Sequence, residues 1–147
     1  MPIKCFYLDD EAAPTVEPFW KLIEQAANRQ IQFDYQQPLK DFGEQVAIIK
    51  KAQPDILILD LRLNENPNGH GEIADYRGFA LAQELRTRMT ERKMPSVPIV
   101  LWSMVSKLKQ SYDKDDTAHR LFDRVYIKDQ VIDNSHQVAL ELQSLVK

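Results

Sequence analysis

The chain has 147 residues, enough for one domain with a complete core and too few for two. Its formal net charge of −3 lacks the basic excess of a nucleic-acid-binding or anionic-membrane-binding protein. No apolar run approaches the roughly 18 residues of a membrane span, and acids interrupt the N-terminal apolar run that a signal peptide needs. The single cysteine excludes an internal disulfide and suits a reducing compartment. These features predict a cytoplasmic globular domain.

The first predicted element is a short, partly aromatic strand, Ile3–Leu8, which ends at the acidic pair Asp9 and Asp10. The segment 14–29 then repeats apolar residues every three or four positions, which predicts an amphipathic helix. Because a helix accommodates proline best in its first turn, Pro18 predicts that the regular helix begins near that residue.

The middle of the chain contains the most informative strand. Ile31–Tyr35 alternates apolar and polar residues, as an edge strand does, and Gly43 is expected to break the chain before a short helix around Val46–Ile49. The segment DILILD follows, with four unbroken aliphatic residues closed by Asp60. Such a run is typical of a strand buried on both faces of a parallel sheet.

The second half of the chain repeats the strand and helix alternation after a long loop. Residues 61–77 are polar and contain one proline and two glycines, which predicts that loop. The elements predicted after it are a helix at Gly78–Met89, a strand at Val97–Trp102 ending at Ser103, a helix from Met104 to about Leu121, a strand at Arg124–Ile127 ending at Lys128, and a helix at Val131–Val146.

This alternation predicts the fold. Strands that alternate with helices form a parallel sheet, and right-handed crossovers place the helices on both of its faces. We therefore predict a doubly wound, flavodoxin-like α/β domain, with five strands in the order 2-1-3-4-5 and five flanking helices.

Polar residues follow four of the five predicted strands, and the carboxyl ends of parallel strands share one edge of a sheet. These residues are Asp9, Asp10, Asp60, Ser103 and Lys128. Carboxylates grouped in this way suit a hard cation such as Mg²⁺, and one beside such a cation can act as a nucleophile toward a phosphoryl group. A hydroxyl and an ammonium group then suit the phosphoryl oxygens.

Each of these residues also has a simpler interpretation. Asp9 and Asp10 can stabilise the positive end of the first helix, and Asp60 can cap the segment that follows it. Ser103 is a good helix N-cap residue, and Lys128 alone would be assigned to the surface.

Over essentially its whole length, residues 1–147, the chain resembles the receiver domain of two-component response regulators. The motifs that carry the resemblance are FYLDDE, DILILD, VPIVLWS and VYIK. The resemblance implies that Asp9 and Asp10 bind Mg²⁺ and that Asp60 accepts a phosphoryl group. It also implies that Ser103 and Lys128 contact that group, and that Arg62 offers the metal its backbone carbonyl.

The resemblance also implies the partners of the domain. A histidine kinase or a phosphotransfer protein would supply the phosphoryl group, and an output protein or a fused output domain would read the change. The domain would be a phosphoacceptor, with self-catalysed phosphoryl transfer and dephosphorylation, rather than an ordinary enzyme. A homodimer is compatible with this interpretation, whereas direct binding to nucleic acid or membrane is not expected.

The chain departs from the family pattern near the site. Met104 replaces a small residue, Asp129 replaces a proline, and Val125 replaces an aromatic residue that normally takes part in switching. The segment 64–77 is an insertion, interpreted as a surface loop, a lid over the site or a partner contact. These departures support an alternative, a pseudo-receiver that binds partners without phosphorylation.

Two other functions that use this fold class fit the sequence less well. A phosphohydrolase similar to the haloacid dehalogenases also forms an aspartyl phosphate, but it needs a second aspartate where this chain has Arg62. A flavodoxin needs a phosphate-binding loop rich in glycine and hydroxyl groups after the first strand, where this chain has acids.

Overall fold

The structure is a computed structural model that describes residues 2–104 and 120–146, and in these ranges it contains one five-stranded sheet. The strands are β1 (Ile3–Leu8), β2 (Ile31–Gln36), β3 (Ile56–Leu59), β4 (Ile99–Ser103) and β5 (Arg124–Ile127). Every pairing is parallel, and the order is β2-β1-β3-β4-β5. The predicted doubly wound sheet is confirmed, including its strand order.

Five helices lie within the described ranges. They are α1 (Ala13–Ala26), α2 (Phe42–Ala52), α3 (Gly78–Thr90), the single turn α4 (Lys128–Val131) and α5 (Ser135–Ser144). The helix predicted from Met104 to about Leu121 falls almost entirely on residues 105–119, outside the described residues. None of these helices has the length and apolar run that crossing a bilayer requires.

Two helices begin earlier than predicted. Helix α1 starts at Ala13 and keeps Pro18 in its interior, where the missing N–H deprives only the Pro14 carbonyl of a partner. Both prolines are exposed, so water can satisfy that carbonyl. Helix α2 includes Gly43, because the Asp41 side chain caps the helix by accepting the Glu44 N–H at 2.8 Å.

The sheet has a separate core on each face. On the α1/α5 face, Tyr7, Ile58, Val100 and Trp102 pack against α1 and α5, and Tyr7 stacks on Trp102 with ring centroids 5.3 Å apart. The α2/α3 face packs against α2 and α3, and its strand residues are Phe6, Leu8, Leu57, Leu59, Ile99 and Leu101. Burial on both faces explains why β3 is uniformly apolar.

The register brings the strand ends to one edge. Leu8 pairs with Leu59, so Asp9 and Asp60 follow at the same level of neighbouring strands. Ser103 pairs with Ile127, which places Lys128 directly after that level on β5. The backbone alone therefore brings together residues that are far apart in sequence.

Candidate functional site

Three carboxylates meet at the carboxyl edge of the sheet. One oxygen from each of Asp9, Asp10 and Asp60 lies within 4.8 Å of the others, and all three residues have no solvent-exposed surface. Like charges at this distance and depth repel strongly, so the group requires positive charge or hydrogen-bond donors nearby.

Lys128 supplies part of that positive charge. Its Nζ lies 2.5 Å from Asp9 Oδ2 and 3.5 Å from Asp60 Oδ2, and the residue is only 1% exposed. Burial acts to lower the pKa of Lys128, but the carboxylates of Asp60 and Asp9 more than offset this and raise the pKa above its ordinary value. Lys128 is therefore a charged member of the site rather than a surface lysine.

Asp9 has donors on both carboxylate oxygens. The Tyr7 hydroxyl donates to Oδ2 at 2.6 Å, and the Glu11 N–H donates to Oδ1 at 3.2 Å. Burial and the neighbouring Asp9 charge raise the pKa of Tyr7 well above its ordinary value, so the hydroxyl stays protonated. The Tyr35 hydroxyl lies within hydrogen-bond distance of two backbone carbonyls, that of Glu11 and, at 2.9 Å, that of Asp9. Asp9 is thus fixed by the α1/α5 face.

Asp10 is held differently. Its Oδ2 accepts the backbone N–H groups of Glu65 and Asn66, at 2.9 and 2.8 Å. Its Oδ1 is buried and has no hydrogen-bond partner in the ranges 2–104 and 120–146. The donors come from the insertion, so this segment is part of the surroundings of the site.

The acids do not act as helix caps for α1. That helix has Ala12 at its N-cap and no side-chain capping bond. Asp60 does make one local hydrogen bond, because its Oδ1 accepts the Leu61 N–H at 2.8 Å. The helix-capping interpretation of Asp9 and Asp10 is therefore wrong.

The insertion packs onto the protein beside Asp60. Its side chains Ala74 and Tyr76, together with Leu63 directly before it, are buried in the core of the α2/α3 face. The Tyr76 hydroxyl donates to the Leu39 carbonyl at 2.6 Å, which ties the loop to the chain before α2. Where the loop ends, Gly78 leaves no room for a side chain: a Cβ there would lie 2.2 Å from the Asp60 carbonyl oxygen.

Three further residues named in the sequence analysis lie at the ends of β3 and β4. They are Arg62, Ser103 and Met104. Ser103 is fully buried, and its hydroxyl has no hydrogen-bond partner among the described residues. Met104 is partly buried directly after it. Arg62 lies two residues after Asp60, and its Nη1 contacts Glu65 Oε1 at 2.9 Å within the insertion.

The aromatic residue of β5 does not replace the one expected at position 125. Neighbouring residues of a strand point to opposite faces, so Val125 packs on the α2/α3 face and Tyr126 on the α1/α5 face. The Tyr126 hydroxyl donates to Glu141 Oε1 at 2.9 Å on α5. This aromatic side chain is therefore tied to the closing helix.

These residues fit a hard divalent cation. The donor set consists of carboxylate oxygens, the preferred ligands of Mg²⁺, and three carboxylates face one ammonium group. Asp10 Oδ1 adds a buried acceptor whose desolvation is not compensated by any donor of the described residues. Asp9, Asp10 and Asp60 are the residues that would hold the ion.

Three participants in the site were missed from the sequence. Tyr7 was identified only as a strand residue, although its position two before Asp9 places both side chains on the same face of the extended chain. Glu65 and Asn66 contribute backbone groups, which carry no side-chain signature.

Comparisons with known proteins agree on the fold. No protein-family model matches the chain, and no curated protein matches it in sequence. Solved structures do match: the response regulator domain of Thermotoga maritima CheB is 13% identical with a TM-score of 0.59, covering 99% of this chain and 97% of that one. A response regulator from Hahella chejuensis is 15% identical with a TM-score of 0.59, covering 99% and 98%.

A third match is the non-phosphorylated receiver domain of the stress response regulator RcsB from Escherichia coli. It is 18% identical with a TM-score of 0.56, and the match covers 98% of this chain and 95% of that one. At such low identity a structural likeness establishes architecture and leaves the activity open. The chain has the fold of the receiver domains of response regulators.

Proposed function

We propose that this domain is a signalling receiver that accepts a phosphoryl group on Asp60. The observation that carries the proposal is the buried group of Asp9, Asp10 and Asp60 beside Lys128, at the carboxyl edge of a receiver-type sheet. This is the edge at which parallel α/β folds carry their binding sites. Ligands of this type, with an adjacent nucleophilic carboxylate, support phosphoryl transfer.

The reaction forms a bond between an Asp60 carboxylate oxygen and phosphorus. With a histidine kinase or phosphotransfer protein as donor, the phosphorus–nitrogen bond breaks and its electron pair stays on the imidazole nitrogen. Lys128 would stabilise the charge that develops on the phosphoryl oxygens, and Ser103 would donate its hydroxyl to them. Bound Mg²⁺, held by Asp9, Asp10, Asp60 and the Arg62 carbonyl, would supply further positive charge for this transfer.

The output would be a change of surface. A phosphoryl group on Asp60 adds negative charge to a site that already has an excess of it, so Lys128 and Ser103 must readjust. A separate or fused output protein would read that change. The bond from Tyr126 to Glu141 makes α5 part of the readout, because that helix is joined to β5 by this hydrogen bond.

The test uses acetyl phosphate, a small donor that removes the need for a known kinase. Wild-type protein incubated with acetyl phosphate and Mg²⁺ should gain one phosphoryl group in its intact mass, and Asp60→Asn should gain none. Modification of Asp60→Asn to the same extent would move the acceptor elsewhere. An unmodified, folded wild-type protein would overturn the proposal.

One observation favours a second candidate, a phosphorylation-independent interaction domain. Asp60 has no exposed surface, and partly buried Met104 stands where small residues normally leave space. In that case the wild-type protein would remain unmodified by acetyl phosphate. Its backbone amide NMR spectrum would also be unchanged by the donor.

A further inference from the structure

We propose that the insertion is an outer part of the cation site, in which the backbone N–H groups of Glu65 and Asn66 orient Asp10 for metal binding. The inference rests on the proposed function, because it concerns how that site holds its cation. It assigns a positioning role to a segment that the sequence alone leaves open as a surface loop, a lid or a partner contact.

The geometry of Asp10 carries the inference. Both N–H groups donate to the same oxygen, Oδ2, at 2.9 and 2.8 Å. The other oxygen, Oδ1, is buried and accepts no hydrogen bond from the part of the chain that the structure describes. Two donors on one oxygen fix the carboxylate plane and leave the second oxygen for another ligand, as outer-sphere partners of metal-binding carboxylates do.

This arrangement favours cooperation over competition. If the loop donated to both oxygens of Asp10, a cation would have to displace the loop in order to bind there. Both oxygens of Asp9 already have such donors. In Asp10 the loop occupies one oxygen only. A buried acceptor without a donor is unfavourable because its lost hydration is not replaced, and a cation at Oδ1 would remove that cost.

The loop is also anchored well enough to position its donors. Leu63 and Tyr76, on either side of the Asp10 contact, are buried in the core. Asn68 closes a turn between them, accepting the His70 and Glu72 N–H groups on its side-chain oxygen. Its side-chain amide donates to the Pro38 carbonyl at 3.1 Å. Donors held by packing add affinity because little ordering remains to be done on binding.

Linkage makes the proposal reciprocal. If docking of the loop raises the affinity for the cation, the cation must stabilise the docked loop by the same factor. Mg²⁺ should therefore slow hydrogen exchange of the Glu65 and Asn66 amides in the wild-type protein. The Ile73 amide, in the same loop but not one of the two donors, should respond less.

The first test removes one donor. Asn66→Pro deletes the N–H that contacts Asp10, and Ile73→Pro makes the same change elsewhere in the loop. Calorimetric titration with Mg²⁺ should give a dissociation constant about tenfold higher for Asn66→Pro than for wild type, the usual cost of losing an outer-sphere partner. Ile73→Pro should stay close to wild type.

The outcomes separate this inference from the proposed function. Equal or tighter Mg²⁺ binding by Asn66→Pro, or faster exchange of the two amides with Mg²⁺, would overturn the positioning role while wild-type phosphorylation could still be observed. A wild-type protein that binds no Mg²⁺ would overturn it as well. If Asn66→Pro fails to fold, the exchange measurement on wild type decides alone.

Discussion

Asp9 and Asp10 are adjacent acids with the same burial, yet the protein holds them in opposite ways. Successive residues of an extended chain point to opposite faces, so Asp9 lies on the side of Tyr7 and Asp10 on the side of Leu8. The α1/α5 face surrounds Asp9 with side-chain donors, Tyr7 and Lys128. On the α2/α3 face, the donors to Asp10 among the described residues are backbone N–H groups of the insertion.

The difference shows how one site combines fixed and adaptable parts. Asp9 has a hydrogen-bond donor on each carboxylate oxygen and an ion pair with Lys128, so the protein fixes its position. Asp10 keeps one unpartnered oxygen and depends on a loop, so its environment can respond to a ligand. Variants on each side should therefore produce different effects.

The largest effect is expected from Lys128→Met. This change removes the ammonium group that contacts the buried carboxylates of Asp9 and Asp60, and breaking a buried ion pair in this way costs about 3–5 kcal/mol. Urea denaturation measures the loss. Mg²⁺ should restore more stability to Lys128→Met than it adds to wild type, because a divalent ion replaces the missing charge.

The control is Lys93→Met, which removes an exposed pair with Glu91 and should change stability by less than about 0.5 kcal/mol. A loss in Lys128→Met as small as that of the control would mean that Asp9 is held by Tyr7 and Glu11 alone.

The sequence was sufficient to predict the sheet and the convergence of the site. β1 and β5 begin and end where predicted, because each is a short run rich in apolar residues that stops at a charged residue, Asp9 after β1 and Lys128 after β5. The convergence of Asp9, Asp60 and Lys128 follows from strand order alone. These features depend on local pattern and on topology, which are both encoded in residue type.

The surroundings of the site could not be predicted in the same way. Helix α1 tolerates Pro18 because Pro14 and Pro18 are exposed, so water can replace the one backbone hydrogen bond that is lost. The local sequence does not reveal that these positions are exposed. The contact of the insertion with Asp10 uses main-chain groups separated from it by 55 and 56 positions. Such a contact depends on tertiary packing, and any residue except proline can supply the backbone N–H that it needs.

Gly78→Ala should have the next largest effect and should act on the Asp10 side. The new methyl group would lie 2.2 Å from the Asp60 carbonyl oxygen and 3.1 Å from that of Leu61, so the start of α3 must shift away from β3. Overpacking against backbone of this kind costs about 3 kcal/mol. Urea denaturation measures this loss, and Mg²⁺ affinity should fall with it because the insertion is displaced.

Gly69→Ala provides the matched control within the insertion. Its Cβ would meet only the flexible Gln37 side chain, at 3.8 Å, so stability and Mg²⁺ affinity should remain near wild type. If Gly78→Ala behaved like Gly69→Ala, Gly78 would not lie as close to the Asp60 carbonyl as described.

The smallest effects are expected when one tyrosine hydroxyl is removed from the α1/α5 face or from the α2/α3 face. Tyr7→Phe removes a donor to the charged Asp9, and should cost about 2 kcal/mol in urea denaturation. Tyr76→Phe removes a donor to the neutral Leu39 carbonyl, and should cost about 1 kcal/mol. Equal losses would mean that the charge of Asp9 adds nothing to its bond with Tyr7.

The difference in unfolding free energy between wild type and Tyr7→Phe should depend on pH. In the folded protein the pKa of Tyr7 is raised by burial first and by Asp9 second, whereas in the unfolded chain it is close to 10.0. The stability that the hydroxyl contributes is therefore complete below pH 10 and declines above it, because only the unfolded chain then releases the proton. The difference in unfolding free energy between wild type and Tyr7→Phe should therefore decrease by up to about 1.4 kcal/mol per pH unit above pH 10. Phe33→Leu removes no titratable group, so its difference in unfolding free energy from wild type should stay constant over the same range. A constant difference for Tyr7→Phe as well would mean that the Tyr7 hydroxyl is exposed to water.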